Sequence, residues 1–317
     1  MKAELLIEQA LEQTIARFEH PAGPPKLAAA IRHSVFPGGA RIRPKLCLAV
    51  ATACNASDLR SAMSAAVAIE FIHCASLVHD DLPCFDNAAI RRGLPSVHAA
   101  FGEPLAVLAG DALIVMAFQS LAIGCEPTTL PAVLGIVAQG VGVPFGITAG
   151  QSWECEPKVQ LADYQQAKTG ALFSAATRAG AVAAGHCGDG WQEFGELLGE
   201  AYQVADDIRD VMSDPASLGK PTGQDTAHSR PSSARELGLG GALDYYNALI
   251  SRVVASIPKC PGDAPLQALV RAEAERLVPS TWTHEWHQAL SGSIGASAIS
   301  AAARDQLLIN ASIHTAK

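Results

Sequence analysis

Two short acidic runs set the chemistry this chain can attempt. His79-Asp80-Asp81-Leu82-Pro83-Cys84-Phe85-Asp86 closes one apolar stretch, and Asp206-Asp207-Ile208-Arg209-Asp210 lies inside another. Asp206 and Asp210 are four residues apart, so on a helix they share a face and repel one another unless a cation lies between them. Mg²⁺ takes hard oxygen ligands and keeps waters and substrate phosphates in its shell. Two such clusters can therefore hold a diphosphate through several Mg²⁺ ions. One acidic run alone reads as a solvated helix face. Two of them, each in Ala-rich surroundings where an unpaired carboxylate is costly, read as a site.

Cations complete the pattern. Arg91-Arg92 follow the first run, and Gly38-Gly39-Ala40-Arg41-Ile42-Arg43-Pro44 puts two arginines beside a glycine turn. Lys168-Thr169-Gly170 and Gly219-Lys220 add two lysines. The chain has 23 Lys and Arg against 31 Asp and Glu, a net charge of −8. Few cations placed beside glycines suit phosphate binding. The acidic balance argues against a nucleic-acid partner, which needs a basic face.

The elements that must carry these residues read as helices. Hydrophobic residues make up 49% of the 317 residues and aromatics only 5%, so Ala supplies much of the apolar share and helices can pack closely. Helical periodicity predicts helices at 2–18, 26–34, 41–55, 57–81, 103–124, 129–142, 161–185, 190–213, 239–256, 264–277 and 296–311. The polar stretch 213–238, rich in Gly, Ser and Pro, reads as a loop over something functional. Trp282, His284, Trp286 and His287 read as a packed C-terminal turn. No linker divides the chain, so a single all-α domain over 1–317 is expected. Acidic residues near the N-terminus argue against a signal peptide. No run reaches the length of a membrane span; 103–124 comes closest and contains Asp111. The eight cysteines form no CxxC pair and read as reduced, buried thiols of a cytoplasmic protein, with zinc excluded.

The order and spacing of GGARIRP, EFIHCASLVHDDLPCFDNAAIRRG, AVLAGDAL, AGQSWECEP, AKTGALF, AYQVADDIRD and LGKPTGQD resemble the trans-type isoprenyl diphosphate synthases, and most closely the bacterial carotenoid-type geranylgeranyl diphosphate synthases. The resemblance runs nearly end to end. It implies an isoprenoid synthase fold, a helical bundle around a central cavity. It implies Mg²⁺ as cofactor, in three ions, with Mn²⁺ able to substitute, and a homodimer. Asp80, Asp86 and Asp206 match the carboxylates that ligate Mg²⁺, with Asp81, Asp207 and Asp210 as further motif members. Arg91, Lys168, Thr169, Gln203 and Lys220 match contacts to the allylic diphosphate, which is dimethylallyl, geranyl or farnesyl diphosphate. Arg43, His73 and Arg92 match contacts to isopentenyl diphosphate. Arg230 stands where the family often has a diphosphate-facing lysine. His79 and His98, beside the first run, read as structural hydrogen-bonding residues.

Departures lie near the same site: Ala40 replaces a lysine, Ala88 and Ala89 replace acidic residues, and Leu94 replaces another lysine. Each removes a charge and none removes a metal-binding carboxylate. The expected activity is condensation of isopentenyl diphosphate with an allylic diphosphate, giving the C20 product from farnesyl diphosphate. Chain length is assigned to Ala75 and Ser76. Ser76 lies four residues before Asp80, about 6 Å back along the helix. Both are small where C15-forming relatives often carry an aromatic, so the tail is expected to pass and to stop lower, at Met116 or Phe118. A C15 or longer-chain synthase, a class I terpene cyclase and a non-catalytic regulatory subunit are the alternatives.

Overall fold

The computed structural model describes residues 3–158, 160–212 and 233–290. Helices dominate these residues, as the periodicity predicts. They are α1 (Ala3–Phe18), α2 (Pro25–Val35), α3 (Ile42–Ala53), α4 (Arg60–Asp80), α5 (Val97–Phe101), α6 (Glu103–Gly124), α7 (Leu130–Val141), α8 (Ile147–Ser152), α9 (Leu161–Gln165), α10 (Ala171–Ala183), α11 (Gln192–Met212), α12 (Ser233–Ala255), α13 (Asp263–Leu277) and α14 (Ser280–Leu290). The long helices fall within a few residues of their expected bounds. The helix expected at 161–185 runs from Leu161 to Ala183 and widens at a π turn, Gln166–Gly170, between α9 and α10, with right-handed helical backbone on both sides. The helix expected from 239 begins at Ser233 and is interrupted at Gly238, whose φ is 69°. The C-terminal aromatic turn is helix α14. The expected helix 296–311 and most of the loop 213–238 lie outside the described residues.

The chain divides into two compact units. One comprises residues up to Gly199 with Ile257–Leu266, and the other Glu200–Ser256 with the chain from Gln267 onward. At the heart of the first, α4 packs against α3, α6 and α10. Ala62, Ala65, Ala66, Ala68, Ile69, Phe71, Ile72, Cys74 and Ala75 are all buried along it. Small side chains permit this close approach. A Cβ on Gly110 would overlap the His79 ring and one on Gly124 would overlap Ser64, so α6 lies antiparallel on α4. Likewise a Cβ on Gly180 would overlap the Cys47 carbonyl oxygen, where α10 meets α3.

By length and composition α4 and α6 are both apolar enough to cross a bilayer, more than the sequence suggests. In α4 that apolar stretch is 78% buried within the protein; in α6 it is 44% buried. The exposed part of α6 carries Val107, Leu108, Val115 and Ile123. Cys47, Cys54, Cys74 and Cys125 are buried, as expected, but Cys84, Cys155 and Cys187 are exposed. Burial pushes the Cys47 and Cys74 thiols up to about 12, keeping them protonated.

The second unit packs through aromatics. Tyr202 donates to Glu273 Oε1 at 2.7 Å and Tyr246 to the Ala274 carbonyl at 3.1 Å, which joins α11 and α12 to α13. Trp286 of α14 is 1% exposed and lies over Gly240 of α12.

Arg41 corrects one sequence expectation. Its place beside the glycine turn suits phosphate, yet its side chain is fully buried. It pairs with Glu70 of α4 at 2.6 Å and Glu8 of α1 at 2.7 Å, and donates to the Val35 carbonyl at 2.7 Å. It therefore ties α1, the end of α2 and α4 together. Removing one partner of a buried pair leaves an uncompensated charge and costs about 3–5 kcal/mol. Arg41→Ala should lower unfolding free energy by about that amount. Urea unfolding checks this, and a surface-like loss below about 1 kcal/mol would contradict the burial of the pair.

Candidate active site

Asp80 ends α4, and the loop after it curls back onto the helix end. Asp86 N donates to the Asp80 carbonyl at 2.9 Å, Asn87 N to Leu82 O at 3.0 Å and Ala88 N to Asp81 O at 3.1 Å. Asn87 takes a left-handed φ of 47° to close the turn. This brings Asp86 back beside Asp80. Asp80 is only 6% exposed and accepts the Gln151 amide at 2.8 Å. Lys168 Nζ lies 3.7 Å from its other oxygen. Desolvation raises the Asp80 pKa, Lys168 and Gln151 pull it down, and Glu154 and Asp86 push it up again. Asp81, also buried, takes Arg91 in a two-pronged pair with a closest approach of 2.5 Å. Burial raises its pKa against the pull of Arg91.

A two-residue hairpin sends two consecutive arginines to different partners. Ile90–Arg91 pairs antiparallel with Leu94–Pro95, and Arg92 and Gly93 form the turn with φ of 53° and 77°. Positive φ at both turn positions is the type I′ arrangement that matches strand twist. Arg91 reaches Asp81, whereas Arg92 donates to the Gly38 carbonyl. The Arg92 guanidinium sits where a Cβ on Gly39 would be, 2.8 Å from its Cζ. Arg43 lies 4.7 Å over the Phe173 ring. His73 is half-buried, and its pKa is held well below the usual imidazole range by desolvation and by the charges of Arg43, Arg92, Arg91 and Arg41. The three residues expected to hold isopentenyl diphosphate thus share one electrostatic neighbourhood. His98 Nε2 lies 3.0 Å from the Ala88 carbonyl, a structural bond of the kind expected.

Lys168 sits on the π turn, with Thr169 half-buried after it. Such turns recur at functional sites. Lys168 Nζ donates to Glu154 at 2.5 Å, and the Tyr164 hydroxyl donates to the same oxygen at 2.5 Å. Gly150 makes this possible, because a Cβ there would overlap the Lys168 backbone. Gln151, Glu154 and Tyr164 were not singled out from sequence. The three-residue spacing of the first two in AGQSWECEP was the available signal.

In the second unit, Asp207 is 2% exposed and accepts the Gln203 amide at 3.0 Å. Asp206 is exposed and lies 4.0 Å from Arg209. Asp210 is half-buried. The turn that hides Asp207 leaves Asp206 and Asp210 on a common face, as their spacing requires. Lys220 and Arg230 lie outside the described residues. Ala75 and Ser76 are buried, and Gln151 also donates to the Ser76 carbonyl at 3.0 Å. Met116 is buried and lines a cavity of about 570 Å³ with Ile15, Phe18 and Leu27.

Asp80 and Asp86 offer the hard oxygen donors that Mg²⁺ prefers, and a desolvated carboxylate of raised pKa gains by meeting a cation. Among the described residues no three His, Cys, Asp or Glu side chains form a ready-made metal cage. Mg²⁺ completes its shell with water and substrate phosphate, so a pair of carboxylates is enough to hold it.

Long helices with acidic clusters backed by arginine and lysine define a class of diphosphate-handling enzyme. The chain belongs to the polyprenyl synthetase family, whose model matches residues 24–239. It is 52% identical to the geranylgeranyl diphosphate synthase of Cereibacter sphaeroides, over 88% of this chain and 98% of that one. It is 47% identical to the geranylgeranyl diphosphate synthase of Rhodobacter capsulatus, over 88% and 97%. Among solved structures it resembles a Helicobacter pylori geranyltransferase complexed with magnesium and isoprenyl diphosphate. That match has a TM-score of 0.71 and 31% identity, covering 89% of this chain and 98% of that one.

Gly39 has a φ of 144° and carries the Arg92 contact, whereas Gly38 (φ 84°) has open space around its Cβ position. Both Ala variants should lose about 1–3 kcal/mol from backbone strain. Gly39→Ala should lose more, because Arg92 must also move. Thermal unfolding of both variants checks this; equal losses would contradict the contact.

Proposed function

We propose that this protein is a geranylgeranyl diphosphate synthase that adds isopentenyl diphosphate to farnesyl diphosphate. The observation that carries the reading is the gathering of Asp80, Asp86 and Lys168 at the buried end of α4, one helical turn from the small residues Ala75 and Ser76. The naming of its relatives supports the same product.

Asp80, Asp86 and Asp206 supply carboxylate ligands, with Asp81, Asp207 and Asp210 supporting them. Mg²⁺ held by these carboxylates would supply neutralisation of charge on the leaving diphosphate. The number of ions, three, and tolerance of Mn²⁺ belong to this proposal. Lys168, Arg91, Lys220 and Arg230 donate to the oxygens of the allylic diphosphate. Such preorganised charge acts most strongly where water is excluded. The C–O bond of the allylic substrate breaks and an allylic cation forms, toward which Thr169 and Gln203 aim their oxygen dipoles. Arg43, Arg92 and a neutral His73 hold isopentenyl diphosphate so that its double bond attacks. The departing diphosphate takes the final proton, so no side-chain base is required.

We assign the protein to the cytoplasm and to a homodimer. The exposed apolar side chains of α6, Leu108, Val115 and Ile123 among them, support pairing with a second copy.

Asp80→Ala or Asp206→Ala should lower turnover at least about a hundredfold, the scale of losing one electrostatic stabiliser, with folding preserved. Steady-state assays with labelled isopentenyl diphosphate measure it; near-wild-type turnover in either would sink the two-cluster reading. A ring at position 75 cannot share volume with a prenyl tail in a close-packed pocket. Ala75→Tyr should therefore shift the product from C20 to C15 with ionisation intact. Continued C20 output in product chromatography would remove α4 as the wall that sets length.

A further inference from the structure

We propose that Glu154 is a positioning residue that holds the Lys168 ammonium off Asp80 and so keeps Asp80 open to a divalent cation. The inference rests on the reading of Asp80 as a metal ligand. Two carboxylates approach one ammonium here: Lys168 Nζ lies 2.5 Å from Glu154 Oε1 and 3.7 Å from Asp80 Oδ2. The geometry gives the direct pair to Glu154. The Lys168 and Glu154 side chains are 19% and 16% exposed, so water screens the competition poorly.

The surrounding elements fix that choice. Glu154 lies on the single turn Trp153–Cys155 after α8, three residues beyond Gln151. One short segment therefore supplies both the amide that Asp80 accepts and the carboxylate that draws Lys168 away. Tyr164 and Lys168 are four residues apart on one face, and the ammonium lies 5.6 Å from the Tyr164 ring centroid. The Tyr164 hydroxyl donates to the same Glu154 oxygen that Lys168 binds, at 2.5 Å, which orients the carboxylate. With the Glu154 charge removed, Asp80 is the other carboxylate within the ammonium's reach among the described residues. A lysine paired directly with Asp80 neutralises it and covers an oxygen, in competition with Mg²⁺.

A double-mutant cycle read by Mg²⁺ binding tests this. Mg²⁺ is titrated calorimetrically into the full chain without a diphosphate ligand, so that no substrate oxygen competes for Lys168. Glu154→Gln is expected to weaken Mg²⁺ binding about tenfold, the scale of one charged hydrogen bond. In a Lys168→Met background the same change is expected to alter Mg²⁺ binding by less than about twofold, because no ammonium remains to fall on Asp80. Tyr164→Phe is expected to weaken binding about threefold, the scale of one neutral hydrogen bond. It carries the test in the same cycle if Glu154→Gln does not fold. Unchanged Mg²⁺ affinity in the single variant overturns the proposal. So does an equal loss in both backgrounds, which would place Glu154 on the cation itself. Absence of Mg²⁺ binding by the unmutated chain overturns the metal-site reading and this inference together, whereas the variant results bear on this inference alone.

Discussion

Charge placed along an apolar, buried helix is the constraint on which the first unit depends. Glu70, Asp80 and Asp81 all belong to α4 or its end, and each is at most 6% exposed. A buried carboxylate is tolerated only with partners. Glu70 has Arg41, Asp81 has Arg91, and Asp80 has Gln151 with Lys168 nearby. Supplying those partners explains much of the local architecture. The left-handed Arg41 starts α3, the Arg92-Gly93 hairpin aims Arg91, and the π turn lifts Lys168 toward the end of α4. Of the three carboxylates, Asp80 alone is held by a neutral amide, with its cation at 3.7 Å. That is why the proposed function gives Asp80 the cation.

Small residues are the second theme. Gly110, Gly140 and Gly180 sit where neighbouring helices touch, so the helices approach closely with few aromatics. The same economy leaves Ala75 and Ser76 small beside the acidic cluster.

Much of this was legible in the sequence, because helical period and acidic spacing are local signals. The long helices, both acidic runs and the grouping of Arg43, His73 and Arg92 follow from pattern and resemblance. What was not legible depends on contacts between distant segments. Arg41 and Arg43 are chemically alike and two residues apart, yet only the fold reveals that Arg41 is consumed by Glu70 and Glu8. The resemblance gives Arg91 and Arg92 different substrates, but the hairpin that sends one to Asp81 and the other to the Gly38 carbonyl is visible only in the fold. The π turn at Gln166–Gly170 leaves no mark in the helical period, and the pairing of Glu154 with Lys168 joins segments that the sequence does not link. The short helices α5 and α8 carry too few residues for periodicity to declare them.

The proposed function gives the charged end of α4 the ionisation of an allylic diphosphate, and the small residues beneath it the room for a C20 chain. The most direct measurement incubates the purified chain with labelled isopentenyl diphosphate and dimethylallyl, geranyl or farnesyl diphosphate, with and without Mg²⁺, and separates the products by length. Geranylgeranyl diphosphate is expected as the main product, formed only when Mg²⁺ is present. A main product of C15, or C20 formation unaffected by removing the metal, would contradict it.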